Sequence, residues 1–203
     1  MNQQLVVKTT NYMPPEMLHI FKESLIRTHP FHFGRPPMKA DNFTFLIDVL
    51  YGCGLRVSEG LNLIKSDFNL NNLILTIRNP KTNKKGIQKT TILPYHVATF
   101  EKRLENLSQS AIVFPVSRMT VWQYCKNASI MAGLPIAEEQ EERSVNGVWT
   151  HLFRKSCSKR MQVLGASREL RMRKLRHSFR DAHDTYDAVD LNAVKDWEWK
   201  QFA

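Results

Sequence analysis

The chain has 203 residues, 42% of them hydrophobic and 24% charged, an ordinary composition with enough length for one substantial domain. No apolar run approaches the roughly 18 residues of a membrane span. The N-terminus also lacks the basic-then-apolar layout of a signal peptide, so no membrane role is expected and the cytoplasm or nucleoid is the expected compartment (of the host cell, if the gene is virus- or plasmid-encoded). Cys53, Cys125 and Cys157 are far apart and form no CxxC pair, which suits small buried hydrophobes better than a disulfide frame or a zinc site.

The net charge of +10 is unevenly spread. Between Arg154 and Arg180 there are ten Lys/Arg against one acidic residue, Glu169, and between Arg78 and Arg103 seven against Glu101. Acidic stretches flank these blocks at Glu138–Glu142 and Asp181–Glu198. Such runs are often only solvated surface, but here the larger block is interleaved with apolar residues at helical spacing. It therefore belongs to packed structure and points to a face that binds nucleic acid or another phosphate polymer.

In chain order, residues 1–13 carry little periodicity and are expected to be a loose lead. Pro14-Pro15 opens a helix with Leu18, Phe21 and Leu25 on its buried side, and 29–39 is a loop. Asp41 is the expected N-cap of the next helix, with Phe43, Leu46, Ile47 and Leu50 at i, i+3, i+4, i+7 and Gly52 and Gly54 as its end. A short helix at 58–63 precedes two strand-like runs, 73–77 and 90–93, joined by the lysine-rich NPKTNKKGIQK. Helical pattern resumes at 96–107, 119–132, 151–164, 167–175 and 179–189, Gly165 serving as a C-cap. The acidic 138–147 is an edge loop. The expected fold is mainly α with a small antiparallel β-sheet (α+β), in one domain over 14–190 followed by a tail at 191–203.

Three segments carry candidate chemistry. In YGCGLRVSEGLNL, Arg56 opens a short helix, where its charge opposes the dipole unless an anion or Glu59, at i+3, offsets it. In THLFRKSCSKRMQVLGAS, His151 and Arg154 share a helix face beside an apolar stripe of Phe153, Cys157, Met161 and Leu164, which suits a grip on a phosphate oxygen. In LRHSFRDAHDTYDAV, His177 precedes Tyr186 by nine residues, and a tyrosine attacks phosphorus only if cations stabilise its oxyanion or a base takes its proton. Each also has an ordinary structural reading: a local ion pair, a satisfied histidine with a snorkelling arginine, a half-buried core tyrosine.

Taken together, GLRVSE, H-x-x-R and LxHS followed by Tyr, in this order and with a basic loop between two strands after the first box, resemble the tyrosine recombinases. That family includes the phage integrases and Xer-type resolvases, and the resemblance covers roughly residues 40–190. It implies Arg56 and Arg154 as the catalytic arginines, Glu59 as the acid steadying Arg56, His151 and His177 as the catalytic histidines and Tyr186 as the nucleophile. Its strand-loop lysine best matches Lys81, with Lys84 and Lys85 close enough to compete.

The implied activity is site-specific breakage and rejoining of double-stranded DNA through a 3′-phosphotyrosyl bond, with no metal or cofactor, by a tetramer on DNA whose free form can be a monomer. Lys84, Lys85, Lys155, Lys159, Arg160, Arg173, Lys174 and Arg176 are the expected DNA contacts. Rival readings are type IB topoisomerase-like relaxation and a non-catalytic DNA-binding protein; no RNA-recognition signature is visible. There are departures: Arg176 stands where the family usually has glycine, and Phe153 where leucine is common. Members of the family normally carry an N-terminal DNA-clamping domain, and only about 40 residues precede the match here, which fits either an excised catalytic domain or a naturally minimal enzyme that binds DNA weakly alone. The stretch after Tyr186, with Val189, Val194, Trp197 and Phe202, has no obvious place in its own core, and the resemblance implies that the C-terminal segment is handed to a neighbouring protomer.

Overall fold

A computed structural model describes residues 12–28, 38–78, 86–134, 150–177 and 190–202. The expected loop at 29–39 (apart from Met38 and Lys39), the acidic 138–147 and the helix at 179–189 lie outside these residues, as do Lys81, Lys84, Lys85 and Tyr186.

The described helices are α1 (Pro15–Thr28), α2 (Ala40–Cys53), α3 (Val57–Leu61), α4 (Val97–Leu104), α5 (Arg118–Met131), α6 (Thr150–Val163), α7 (Arg168–Leu175) and α8 (Leu191–Phe202). They accompany one sheet of β1 (Phe68–Asn69), β2 (Ile74–Ile77) and β3 (Gln88–Thr91). The order is β1-β2-β3, antiparallel throughout, with Phe68 opposite Leu75 and Leu75 opposite Thr90. The mainly α architecture with a small sheet is as expected. β1, only two residues long, has no strand pattern to betray it. β3 begins two residues before the apolar run because Gln88 and Lys89 pair with Ile77 and Thr76. Ladder register there follows backbone hydrogen bonds, while Ile92 and Leu93 are buried beyond the strand.

α2 is the axis of the core. Every residue from Phe43 to Cys53 is buried, so its sequence reads apolar all round. Phe43 stacks on Tyr124 of α5 at 4.0 Å between centroids, and Phe45 meets Phe100 of α4 and Phe114 at 4.9 and 5.1 Å. Two helix-end expectations change. Lys39 caps α2, while Asp41 sits in its first turn and accepts from Arg103 at 3.0 Å. Gly52 is inside the helix, and Gly54 alone ends it, in the left-handed region at φ 64°. Met13, expected in the loose lead, is fully buried: its N–H donates to Ser156 at 2.8 Å and its carbonyl accepts from Tyr51 at 3.1 Å.

The tail has a seat in its own domain. A second apolar cluster of Cys157, Met161, Ala166, Leu175 and Val194, with Trp197 against it, joins α6, α7 and α8. Within it the fully buried Lys174 ammonium lies 2.7 Å from Glu198 and donates to Thr91 at 2.6 Å (hydroxyl) and 2.9 Å (carbonyl). Thr91 in turn donates to Glu198 at 2.6 Å. The α8 helix is thus bound to β3 through a buried, charged node. All three cysteines are buried, and burial pushes the Cys53 and Cys125 thiols up to about 12. They are inert packing groups, as expected.

Candidate active site

The site assembles where the ends of α2 and α7 meet the first turns of α3 and α6. Gly54 turns the chain out of α2, so that Arg56 becomes the N-cap of α3. Its backbone N–H donates to Glu59 Oε2 and its guanidinium to Glu59 Oε1, both at 2.8 Å. Glu59 is buried, whereas the Arg56 side chain keeps 35% exposure. The helix-start arginine is thus neutralised locally, as its spacing to Glu59 predicts, with its outer edge left open.

One turn of α6 separates exposed His151 from Arg154, which is 2% exposed. Arg154 donates through Nη1 to the Gly54 carbonyl and through Nη2 to the Leu175 carbonyl, tying the end of α2 to the end of α7. It also lies 3.8 Å from Glu59. Burial, then the Arg176 and Arg56 charges, bring its pKa down to about 9, which still leaves a cation at neutral pH. The buried stripe of α6 is Phe153, Cys157 and Met161; Leu164 lies past the helix end and is 38% exposed.

His177 follows α7 through a left-handed turn. The N–H of Arg176 bonds to the Arg173 carbonyl at 3.1 Å and that of His177 to the Met172 carbonyl at 3.0 Å. These two bonds make a Schellman motif with Arg176 at its left-handed position, φ 57°. His151, Arg154 and His177 line one open cavity of about 240 Å³, with Lys155, Ser158, Lys159, Gln162 and Leu175. Burial, followed by the charges of Arg154, Arg56 and Arg176, holds His177 down at about 4. Burial and then Arg154, Lys155 and Arg56 lower His151. Both imidazoles are therefore neutral near pH 7, each able to donate at one nitrogen and accept at the other. The cluster can seat an anion between guanidiniums, and a neutral histidine at its edge can take a proton.

The expected DNA contacts divide. Lys155, Lys159 and Arg173 lie at least partly exposed, the two lysines on the cavity wall. Three others need correction. Lys174 is fully buried on Glu198 and Thr91. Arg160, 5% exposed, sits over the rings of Tyr51 and Phe202 at 5.0 and 5.1 Å and donates to Tyr95 at 3.0 Å. Arg176 is turned inward onto Glu59 at 2.7 Å. Alternation with apolar residues at helical spacing is the signal that some of these cations face the interior. Among the described residues no group of His, Cys, Asp and Glu could hold a metal ion, and no helix is long and apolar enough to cross a membrane.

No curated protein sequence matches the chain. Solved structures resemble it in fold at low identity. The XerH site-specific recombinase bound to difH substrate matches at TM-score 0.59 and 18% identity, over 93% of this chain and 50% of that one. The catalytic domain of bacteriophage HP1 integrase matches at 0.57 and 14%, over 83% and 81%. The Tn1549 transposon integrase in complex with transposon right-end DNA matches at 0.58 and 13%, over 98% and 68%. The chain thus spans about half the length of the XerH chain and most of that of the HP1 catalytic domain. The sequence pattern of the phage integrase family runs across residues 36–190, the stretch that carries the cluster around Glu59, and the chain belongs to that family.

Proposed function

We propose that this chain breaks and rejoins double-stranded DNA at specific sites, with Tyr186 as the nucleophile of a 3′-phosphotyrosyl intermediate. The observation that carries the reading is the cluster itself: Arg56 half-open and Arg154 braced on two carbonyls, both within reach of one buried carboxylate, beside a cavity lined by two neutral histidines.

On this reading Arg56, Arg154 and His177 hold the non-bridging oxygens of one phosphate and stabilise the charge that builds in an in-line displacement. Arginines suit the role because a planar fork meets two oxygens at once. His151, neutral at working pH, accepts the Tyr186 proton, and Lys81 donates one to the departing 5′-oxygen. The phosphodiester energy is kept in the tyrosyl ester, so the step runs backwards with a partner strand. Lys155, Lys159, Arg173, Lys84 and Lys85 contact the flanking backbone. On DNA four protomers assemble, with α8 leaving its seat for the equivalent seat on a neighbour.

The test is a nicked suicide DNA substrate, from which a covalent protein–DNA complex is expected. Tyr186→Phe should abolish that complex and leave DNA affinity nearly unchanged. An adduct that persists in the variant refutes the nucleophile. An adduct with relaxed plasmid but no recombinant junction in place of strand exchange refutes recombination in favour of topoisomerase chemistry.

A further inference from the structure

Arg176 is the one departure from the family pattern that lands in the site, and its energetics are unusual. The residue occupies the left-handed position of a Schellman turn, φ 57°, where glycine carries no steric cost and any other residue is disfavoured by about 1–2 kcal/mol. The side chain does not project to solvent or to the cavity. It is buried, with Nη2 donating to Glu59 Oε2 at 2.7 Å and Nη1 to the Lys174 carbonyl at 3.3 Å. A strained backbone at a buried position persists only where the surroundings fix it, and here the fixing partner is the carboxylate that also holds Arg56.

Three guanidiniums surround Glu59 at unequal distances. Oε1 receives Arg56 at 2.8 Å, and Oε2 receives the Arg56 N–H at 2.8 Å and Arg176 at 2.7 Å. Arg154 is left at 3.8 Å, its nitrogens committed to the two carbonyls. With only Arg56 and Arg154 around it, the single carboxylate would be shared between them, cancelling half of their charge at the phosphate. With Arg176 present, three guanidiniums face one carboxylate, and the excess of two positive charges remains for the ligand.

We propose that Arg176 is a positioning residue for phosphoryl transfer: it holds the Glu59 carboxylate on Arg56 and supplies the countercharge that Glu59 would otherwise draw from Arg154, so that the positive charge of Arg154 and Arg56 stays available to the phosphate. The role rests on the strand-transfer reading above. The same charge also contributes to keeping His177 neutral, and the turn that Arg176 forms is the one that presents His177.

Arg176→Gly keeps the left-handed turn at no strain and removes only the side chain; Arg176→Gln removes the charge at similar length; Arg176→Lys restores it. Single-turnover cleavage of the nicked substrate at saturating protein is the readout, with DNA affinity and thermal melting measured alongside. Arg176→Gly and Arg176→Gln should bind DNA within about twofold of wild type yet cleave about 10- to 100-fold more slowly, with part of the rate recovered in Arg176→Lys. In a Glu59→Gln background Arg176→Gly should add little further loss, because both act through the same carboxylate. Arg176→Gly cleaving at the wild-type rate, losing only affinity, or adding its full loss to that of Glu59→Gln overturns the role. A wild type that forms no adduct sinks the strand-transfer reading and this role with it. A reactive wild type matched by Arg176→Gly sinks only the role.

Discussion

Gly54 offers the sharpest stability test of the site. Its φ of 64° is disfavoured for any side chain, and a Cβ built there would stand 2.6 Å from Leu175 Cδ2 and 3.2 Å from Cys157 Sγ. Gly54→Ala therefore combines a left-handed alanine, about 1–2 kcal/mol, with overpacking of a filled cluster, about 1–3 kcal/mol. The sum, about 2–5 kcal/mol, is large against the stability of a domain. Urea unfolding read by circular dichroism, extrapolated linearly, measures it. The two parts separate in a double-mutant cycle with Leu175→Ala, which removes the clashing methyl. The cycle should show a favourable coupling of about 1–3 kcal/mol, leaving only the backbone part of the alanine's cost. Catalysis should suffer as well, since the Gly54 carbonyl is one of the two anchors of Arg154. A Gly54→Ala protein within about 0.5 kcal/mol of wild type would refute the close approach of α2, α6 and α7 on which the site is built.

Four further outcomes are expected. Glu198→Ala strands the Lys174 ammonium in the interior and should cost about 3–5 kcal/mol, whereas Lys174→Met with Glu198→Leu should come back near wild type; truncation after Leu191, which removes Val194 from its cluster, should lower the thermal midpoint of the DNA-free protein, and an unchanged midpoint would refute the seat of α8. Burial, then Lys22, Arg160 and Lys174, hold His96 down at about 3; because the unfolded chain takes up its proton near 6.5, stability should be full above that pH and fall as pH drops from there towards about 3, by up to about 1.4 kcal/mol per pH unit, and a His96→Leu protein with the same acid limb would refute the assignment. DNA affinity should fall steeply with salt, by orders of magnitude between 50 and 200 mM for several phosphate contacts, and a flat titration would show that the basic wall beside His151 does not touch the backbone.

Much of this molecule is legible in its sequence because its helices obey amphipathic spacing and its site residues come in short boxes. Phe43, Leu46, Ile47 and Leu50 announce α2, and Phe153, Cys157 and Met161 announce the buried face of α6. Arg56 with Glu59, and His151 with Arg154, are near neighbours in sequence, so helix geometry alone brings each pair together. The missed features depend on distant partners. Nothing within reach of Lys174 tells that Glu198, 24 positions on, will meet it, so a basic helix reads as a DNA face when part of it is interior. The inward turn of Arg176 requires Glu59, 117 positions away. β1 is held by its ladder to β2 and by Phe68 packing on Phe45 and Phe100, which no two-residue pattern encodes. The tail's apolar residues point to a partner elsewhere, and in this structure that partner is β3 and α7 of the same chain.

Arg154, a cation of the phosphate site on the proposed reading, is also the tie between two helix ends. Removing it leaves the carbonyls of Gly54 and Leu175 buried without a donor, about 1–3 kcal/mol each, and Glu59 short of one neighbour. Loss of Arg154 is therefore also loss of stability, and a gene copy carrying it should be cleared by proteolysis sooner than one that has lost Arg56. Arg56, 35% exposed and paired with Glu59, joins no two helix ends among the described residues. Inactive descendants of this chain that survive in a genome should accordingly have lost Arg56 first, keeping Arg154 as a fossil of the phosphate pocket.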